Sequence, residues 1–236
     1  ITLPKTIDND IWGTDITLGY DTAVTIASEA IDKLHTTASS HHRIMMIDIM
    51  GHNTVWLALS AGLAGGADVI LIPEIPYKIN KVMDALVERR KKGKRFSIIA
   101  VAEGAVPFDE TQQETEENQN EKKKKKAPNF FPHQLPSSEK LATLIESTIG
   151  IETRVTTLGY SQRGGIPTPS DRIIATRLGT EAGLCILNGQ FGVMMAVQGT
   201  EIIPMPLEKV AGKKKVVPPD HSLIKTAERL GISFGI

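Results

Sequence analysis

Near its start the chain carries two carboxylates two residues apart, in Pro4-Lys5-Thr6-Ile7-Asp8-Asn9-Asp10. In an extended loop that spacing lets both side chains point the same way. One can then take a proton from an attacking hydroxyl while the other holds Mg²⁺, directly or through water. A solvated turn makes the same D-x-D pattern, so the pair by itself leaves both readings open. The arginines of the chain are a second resource: guanidinium forks pair bidentately with phosphate oxygens and stay charged, although any one of them alone reads as a surface salt bridge. Cys185 is the single cysteine. It excludes an intramolecular disulfide framework and any CxxC metal site, and suits a reducing cytosol.

These groups need a scaffold, and the pattern of the chain predicts one. Ala23, Val24, Ala27, Ala30, Ile31 and Leu34 recur at helical spacing, with Asp21 or Thr22 placed to cap the start. The run at 44–49 reads as a buried parallel strand. A helix over 56–63 that stops at Gly65-Gly66, a strand over 69–72, a helix over 80–92 and a strand over 97–102 complete βαβαβ. Helices over 139–148 and 171–187, a strand over 154–158 and a strand pair at 193–197 and 201–206 follow. The fold class is therefore α/β, with a parallel sheet under covering helices.

Composition narrows the function classes. The 236 residues are 41% hydrophobic and 23% charged, enough apolar surface for a core and against global disorder. Lysine and arginine total 27 against 27 acids, which argues against a broadly basic nucleic-acid binder. The most apolar stretch, 56–73, is broken by Gly65-Gly66 and Asp68 and is not a membrane span. Residues 109–128 hold six acids and then Lys122 to Lys126 with almost nothing apolar, the composition of a solvated, flexible insertion. The cluster Arg89 to Arg95 sits at a helix C-terminus, where the macrodipole favours cations. The chain opens on Ile1-Thr2-Leu3-Pro4, without initiator Met or signal-peptide pattern, and is expected to be part of something longer.

The D-x-D string does not stand alone. Thr6-Ile7-Asp8-Asn9-Asp10, Gly13-Thr14-Asp15, Gly19-Tyr20-Asp21-Thr22-Ala23, Ser40-His41-His42-Arg43 and Met50-Gly51 occur in order. They are followed by 62–68, Ile72-Pro73-Glu74, Val101-Ala102-Glu103-Gly104-Ala105, Thr153-Arg154, Leu158 to Gly165, Asp171-Arg172 and the tail from Leu223 to Ile232. Together they resemble the 6-phosphofructokinase family over nearly the whole chain apart from 109–136.

The resemblance implies a two-lobed α/β enzyme with parallel-rich sheets flanked by helices, the first lobe incomplete. Residues 1–19 and 162–212 would be what remains of the phosphate-donor lobe; 20–161 and 213–236 would form the sugar-phosphate lobe. The implied reaction is glycolytic phosphoryl transfer to the 1-hydroxyl of fructose 6-phosphate in the cytoplasm, assisted by Mg²⁺. By resemblance Asp8 is the base, Thr6 bonds near the transferred group and Asp10 serves the Mg²⁺. Glu74 is expected to bind the sugar hydroxyls with Met50 and Gly51 beside it, and Arg163 and Tyr160 to meet the 6-phosphate. Arg43 and Arg154 would reach that phosphate from a neighbouring subunit, which implies a homo-oligomer, a homotetramer in the family, with shared sites. No nucleic-acid or membrane partner is expected.

Three departures from the family pattern bear on activity. His52 stands where the family has an arginine over the phosphoryl group, and Val55 replaces a glycine. A histidine is mostly neutral at pH 7, so a charge aimed at the transition state is lost. Tyr160 stands where histidine is commoner, and a phenol can still bond a phosphate. The family's Gly-rich donor turns are absent from the sequence. Lys5 is typical of pyrophosphate users, but the branch with the Gly13-Thr14-Asp15 signature has lysine and uses ATP, so ATP is the expected donor. Pyrophosphate is the alternative, and so is an impaired sugar-phosphate-binding fragment or regulatory subunit.

Overall fold

The computed structural model describes residues 1–51, 56–108 and 137–236. The expectations attached to His52, Val55 and the 109–128 insertion lie outside the described residues.

Four parallel strands make the main sheet: β1 (Ile44–Ile49), β2 (Val69–Leu71), β3 (Ser97–Ala102) and β4 (Thr153–Thr157), in the order β2-β3-β1-β4. Apart from Asp48, β1 and β3 are buried throughout, because helices cover both faces of the sheet. The strand order explains how. From β1 to β2 the chain steps two places one way through α2 (Trp56–Ala64); α3 (Ile79–Lys91) then brings it one place back to β3. Since crossovers are right-handed, reversing direction puts α2 and α3 on opposite faces. The next helix, α4 (Ser137–Ile149), continues in the second direction to β4 and packs beside α3, whereas α1 (Tyr20–His41) packs on α2.

The core this creates runs from Ala23 and Ile31 through Ile47, Leu59 and Ile99 to Ile224 and Phe234. Close approach is required in places: a Cβ on Gly62 would lie 2.9 Å from the Ile70 side chain, and one on Gly65 2.7 Å from Ile31. The C-terminal tail closes the β2 edge, since the Ile70 amide donates to Ser233 O at 2.9 Å and the Ser233 amide to Asp68 O at 3.0 Å.

A second, smaller cluster is built around α5 (Pro169–Leu187) and the antiparallel pair β5 (Val193–Gln198) and β6 (Glu201–Pro206). Leu178, Cys185 and Met195 form its buried centre, with Ile1 and Ile16 packed against it. Thr2 bridges Met194 in parallel, so the first residues lie beside β5. The short α6 (Leu207–Val210) and then α7 (Ser222–Arg229) complete the chain.

One local expectation is corrected. Neither Asp21 nor Thr22 caps α1: the helix begins earlier, at Tyr20, with Gly19 as N-cap at φ 100°. That left-handed conformation suits glycine, and the capping oxygens come from another helix altogether.

Candidate active site

Those oxygens belong to Asp171 in the first turn of α5, a carboxylate only 2% exposed. It accepts from the Gly19 amide at 2.9 Å, from the Thr22 amide at 2.8 Å and from the Thr22 hydroxyl. In return Thr168, the N-cap of α5, donates its hydroxyl to Asp21 at 2.6 Å. Two helix N-termini are thereby locked side by side, with the positive ends of their dipoles facing one region.

A cavity of 590 Å³ opens there, lined by Lys5, Thr6, Asp8, Arg163, Asp171 and Arg172 among others. Asp8 is partly buried; its amide donates to Thr6 Oγ1 at 3.2 Å, and the Thr6 hydroxyl donates to Asp8 Oδ2 at 3.3 Å. Thr17 donates to Thr6 O at 2.7 Å and fixes the other side of the turn. An acid, three cations and two helix N-termini give this cavity the means to hold an anionic group beside a proton acceptor.

Asp10 is not among the residues lining that cavity. The reason is local. Asn9 takes φ 54° and buries its side chain, so the loop is not extended and the alternation that would aim both acids alike is broken. The Asn9 carboxamide oxygen accepts from the Thr17 amide at 3.0 Å and from Lys215 Nζ at 2.9 Å. Burial pushes the Lys215 ammonium down to about 8, against the pull of Asp15 and Asp10.

A neighbouring cavity of 440 Å³ lies at the C-terminal ends of β1, β3 and β4 and is lined by Asp48, Met50, Glu103, Thr157 and Tyr160 among others. Gln162 joins the two regions: it lines the first cavity, and its side-chain oxygen accepts from the Met50 amide at 3.2 Å. Arg163 lies 5.5 Å from the centre of the Tyr160 ring. Burial raises the Asp48 carboxyl, and Glu103 adds to the rise; hydrogen bonds from Ser138 at 2.8 Å and Thr157 at 3.1 Å oppose it.

Glu74 does not share this cavity, contrary to the expectation that it stands beside Met50 and Gly51. It follows β2, which β3 separates from β1, and lines a different cavity with Phe108, Pro219 and Ile224. One of its oxygens accepts from the Val217 amide at 3.4 Å. Besides Asp48, the acid that lines this cavity with Met50 is Glu103, one residue past β3. The sequence held a signal for it: in a parallel sheet the first residue after a strand stands at the ligand-binding edge.

Arg43 and Arg154 lie at the opposite, N-terminal ends of β1 and β4, where both pair with Glu152. Arg43 borders a cavity with His41, His42, Arg90, Arg95 and Glu152, away from Asp8 of the same chain, and neither arginine lines the cavity that holds Asp8. Among the described residues no cluster of three or more His, Cys, Asp or Glu side chains suits a metal ion, and no helix is long and apolar enough to cross a membrane.

The sequence profile of the phosphofructokinase family matches residues 1–186. The chain belongs to the phosphofructokinase family. It is 52% identical to the ATP-dependent 6-phosphofructokinase of Spirochaeta thermophila over 235 residues, which is 100% of this chain and 62% of that relative. It is 46% identical to the pyrophosphate–fructose 6-phosphate 1-phosphotransferase of Amycolatopsis methanolica, covering 93% of this chain and 62% of the relative. Among solved structures it resembles phosphofructokinase from Saccharomyces cerevisiae, with a TM-score of 0.71 and 34% identity over 87% of this chain and 25% of the other. The chain thus spans about three-fifths of the length of the curated relatives it matches. The phosphofructokinase-like α/β fold read from the sequence is the fold observed.

Proposed function

We propose that the protein is a 6-phosphofructokinase, transferring a phosphoryl group from ATP to the 1-hydroxyl of fructose 6-phosphate in glycolysis. The observation that carries this reading is one cavity holding Asp8, Arg163 and the paired N-termini of α1 and α5. Asp8 accepts the hydroxyl proton as the oxygen attacks, and Thr6 holds the carboxylate in place. Arg163 and the helix N-termini neutralise phosphate charge, which is most of what phosphoryl transfer asks of a protein. The sugar extends toward Met50, Glu103 and Tyr160, and Glu103 replaces Glu74 as the acid within reach of its hydroxyls.

A divalent cation fits this site on Mg²⁺'s usual terms, held by one or two carboxylates with phosphate oxygens and water in place of an all-protein cage. Asp8, which lines the cavity, would hold it in place of the expected Asp10, and bound there it would neutralise charge on the transferring group. Arg43 and Arg154 serve a neighbouring subunit's sugar phosphate, so the working form is a homo-oligomer. Residues 1–19 with 162–212 form the donor lobe, and 20–161 with 213–236 the sugar lobe; the two hydrophobic clusters support that division.

Calorimetric titration with fructose 6-phosphate tests the reading. Asp8→Asn should bind the sugar phosphate as the parent does and lose Mg²⁺-dependent transfer, whereas Arg163→Ala should lose binding. Parent protein that is folded and does not bind overturns it. Pyrophosphate as donor is the second reading, favoured by Lys5 in the cavity wall. Transfer supported by pyrophosphate and not by ATP would establish it.

A further inference from the structure

The tail of the chain reaches back to the turn that carries the acids. Lys215, more than two hundred residues after Asn9 and outside every motif noted above, donates from Nζ to Asn9 Oδ1 at 2.9 Å, Thr14 O at 3.0 Å and Asp15 O at 2.8 Å. An ammonium has three protons, and here each has one acceptor at good distance. The backbone of the same residue is engaged too: its amide donates to Asp10 O at 2.9 Å, and its carbonyl accepts from Trp56 Nε1 at 2.9 Å. The ammonium also lies 5.3 Å from the centre of the Trp56 ring. One residue therefore ties residues 9, 10, 14 and 15 to the first residue of α2. Asn9 is the position whose left-handed backbone turns Asp8 toward the cavity and Asp10 away from it.

We propose that Lys215 is a positioning residue for the proposed transfer: it fixes the Asp8-Asn9-Asp10 turn by saturating its ammonium on Asn9, Thr14 and Asp15. With all three protons committed inside the protein, Lys215 is not a substrate ligand. Lys213 and Lys214 are exposed and share none of these contacts, so the effect belongs to Lys215 alone. The proposal rests on Asp8 being the acid that acts.

The test uses Lys215→Met, which keeps the stem against Trp56 and removes the donors, beside Lys215→Arg, whose planar fork cannot reach three convergent acceptors. Native-state amide exchange should rise about tenfold or more at residues 9–17 and stay unchanged in β1 and β3. The fructose 6-phosphate dissociation constant should hold while kcat falls about 100-fold, the scale set by a misplaced catalytic group. Lys215→Arg should fall between parent and Lys215→Met. Unchanged exchange at 9–17, or an equal rise across the whole chain, overturns the proposal whatever the activity does. Parent protein without transfer, paired with the local exchange change, indicts the reading of Asp8 and leaves the anchoring by Lys215 standing.

Discussion

Asp171 shows what a single side chain can hold. It is buried and meets two amides and a hydroxyl at the start of α1. Truncating it leaves those donors without acceptors in a dry place, so Asp171→Ala should cost about 3 kcal/mol, read as a lower urea midpoint at unchanged slope. Asp48 makes the opposite kind of contribution. Burial raises its carboxyl, so the folded chain holds that proton more tightly than the unfolded chain does. Its stabilising effect is therefore complete below the ordinary carboxylate range and is lost as pH rises through the raised folded value. Asp48→Asn keeps an oxygen for Ser138 and Thr157. The variant should match or exceed the parent in urea midpoint at neutral pH and lose that advantage as the pH falls into the ordinary carboxylate range. A constant difference across that range would contradict the assignment.

At the scale of elements, the glycines of two helices predict opposite outcomes from one substitution. Gly62 in α2 faces Ile70 and Ala100 so closely that an added methyl would meet the Ala100 Cβ at 3.2 Å and Ile70 nearer still. Gly62→Ala should destabilise by about 1–3 kcal/mol through overpacking between helix and sheet. Gly179 in α5 has nothing within 4 Å of a built Cβ. Gly179→Ala should stabilise by about 0.5–1 kcal/mol, because only the unfolded chain's freedom is lost. Thermal melts of the two variants side by side check the pair. The helices themselves were legible in their apolar spacing, and β1 and β3 in their short, mainly apolar runs. The cap of α1 was not, since the carboxylate that accepts from its first amides lies about 150 residues away in α5 and no local pattern records it.

Across the whole molecule, the last residues are structural. Phe234 is 2% exposed within the main core, and Ser233 pairs with the outer edge of β2. Phe234→Ala should cost about 3–5 kcal/mol and open that edge, with aggregation on heating as the visible consequence. Static light scattering during a melt would report it, and a variant that melts as the parent does would refute it.

The sequence by itself determined the family, the α/β class, the order of strands and helices, and Asp8 with Arg163 as cavity residues, because these follow from short-range patterns and ordered motifs. Only the tertiary structure decided which acids share a cavity. Glu103 lines one cavity with Met50 and Glu74 lines another, since β3 lies between β1 and β2. Asp10 parts from Asp8 because Asn9 turns left-handed, and Lys215 holds Asn9 from the far end of the chain. Strand order and contacts across two hundred residues are settled by packing, which no local run of residues encodes.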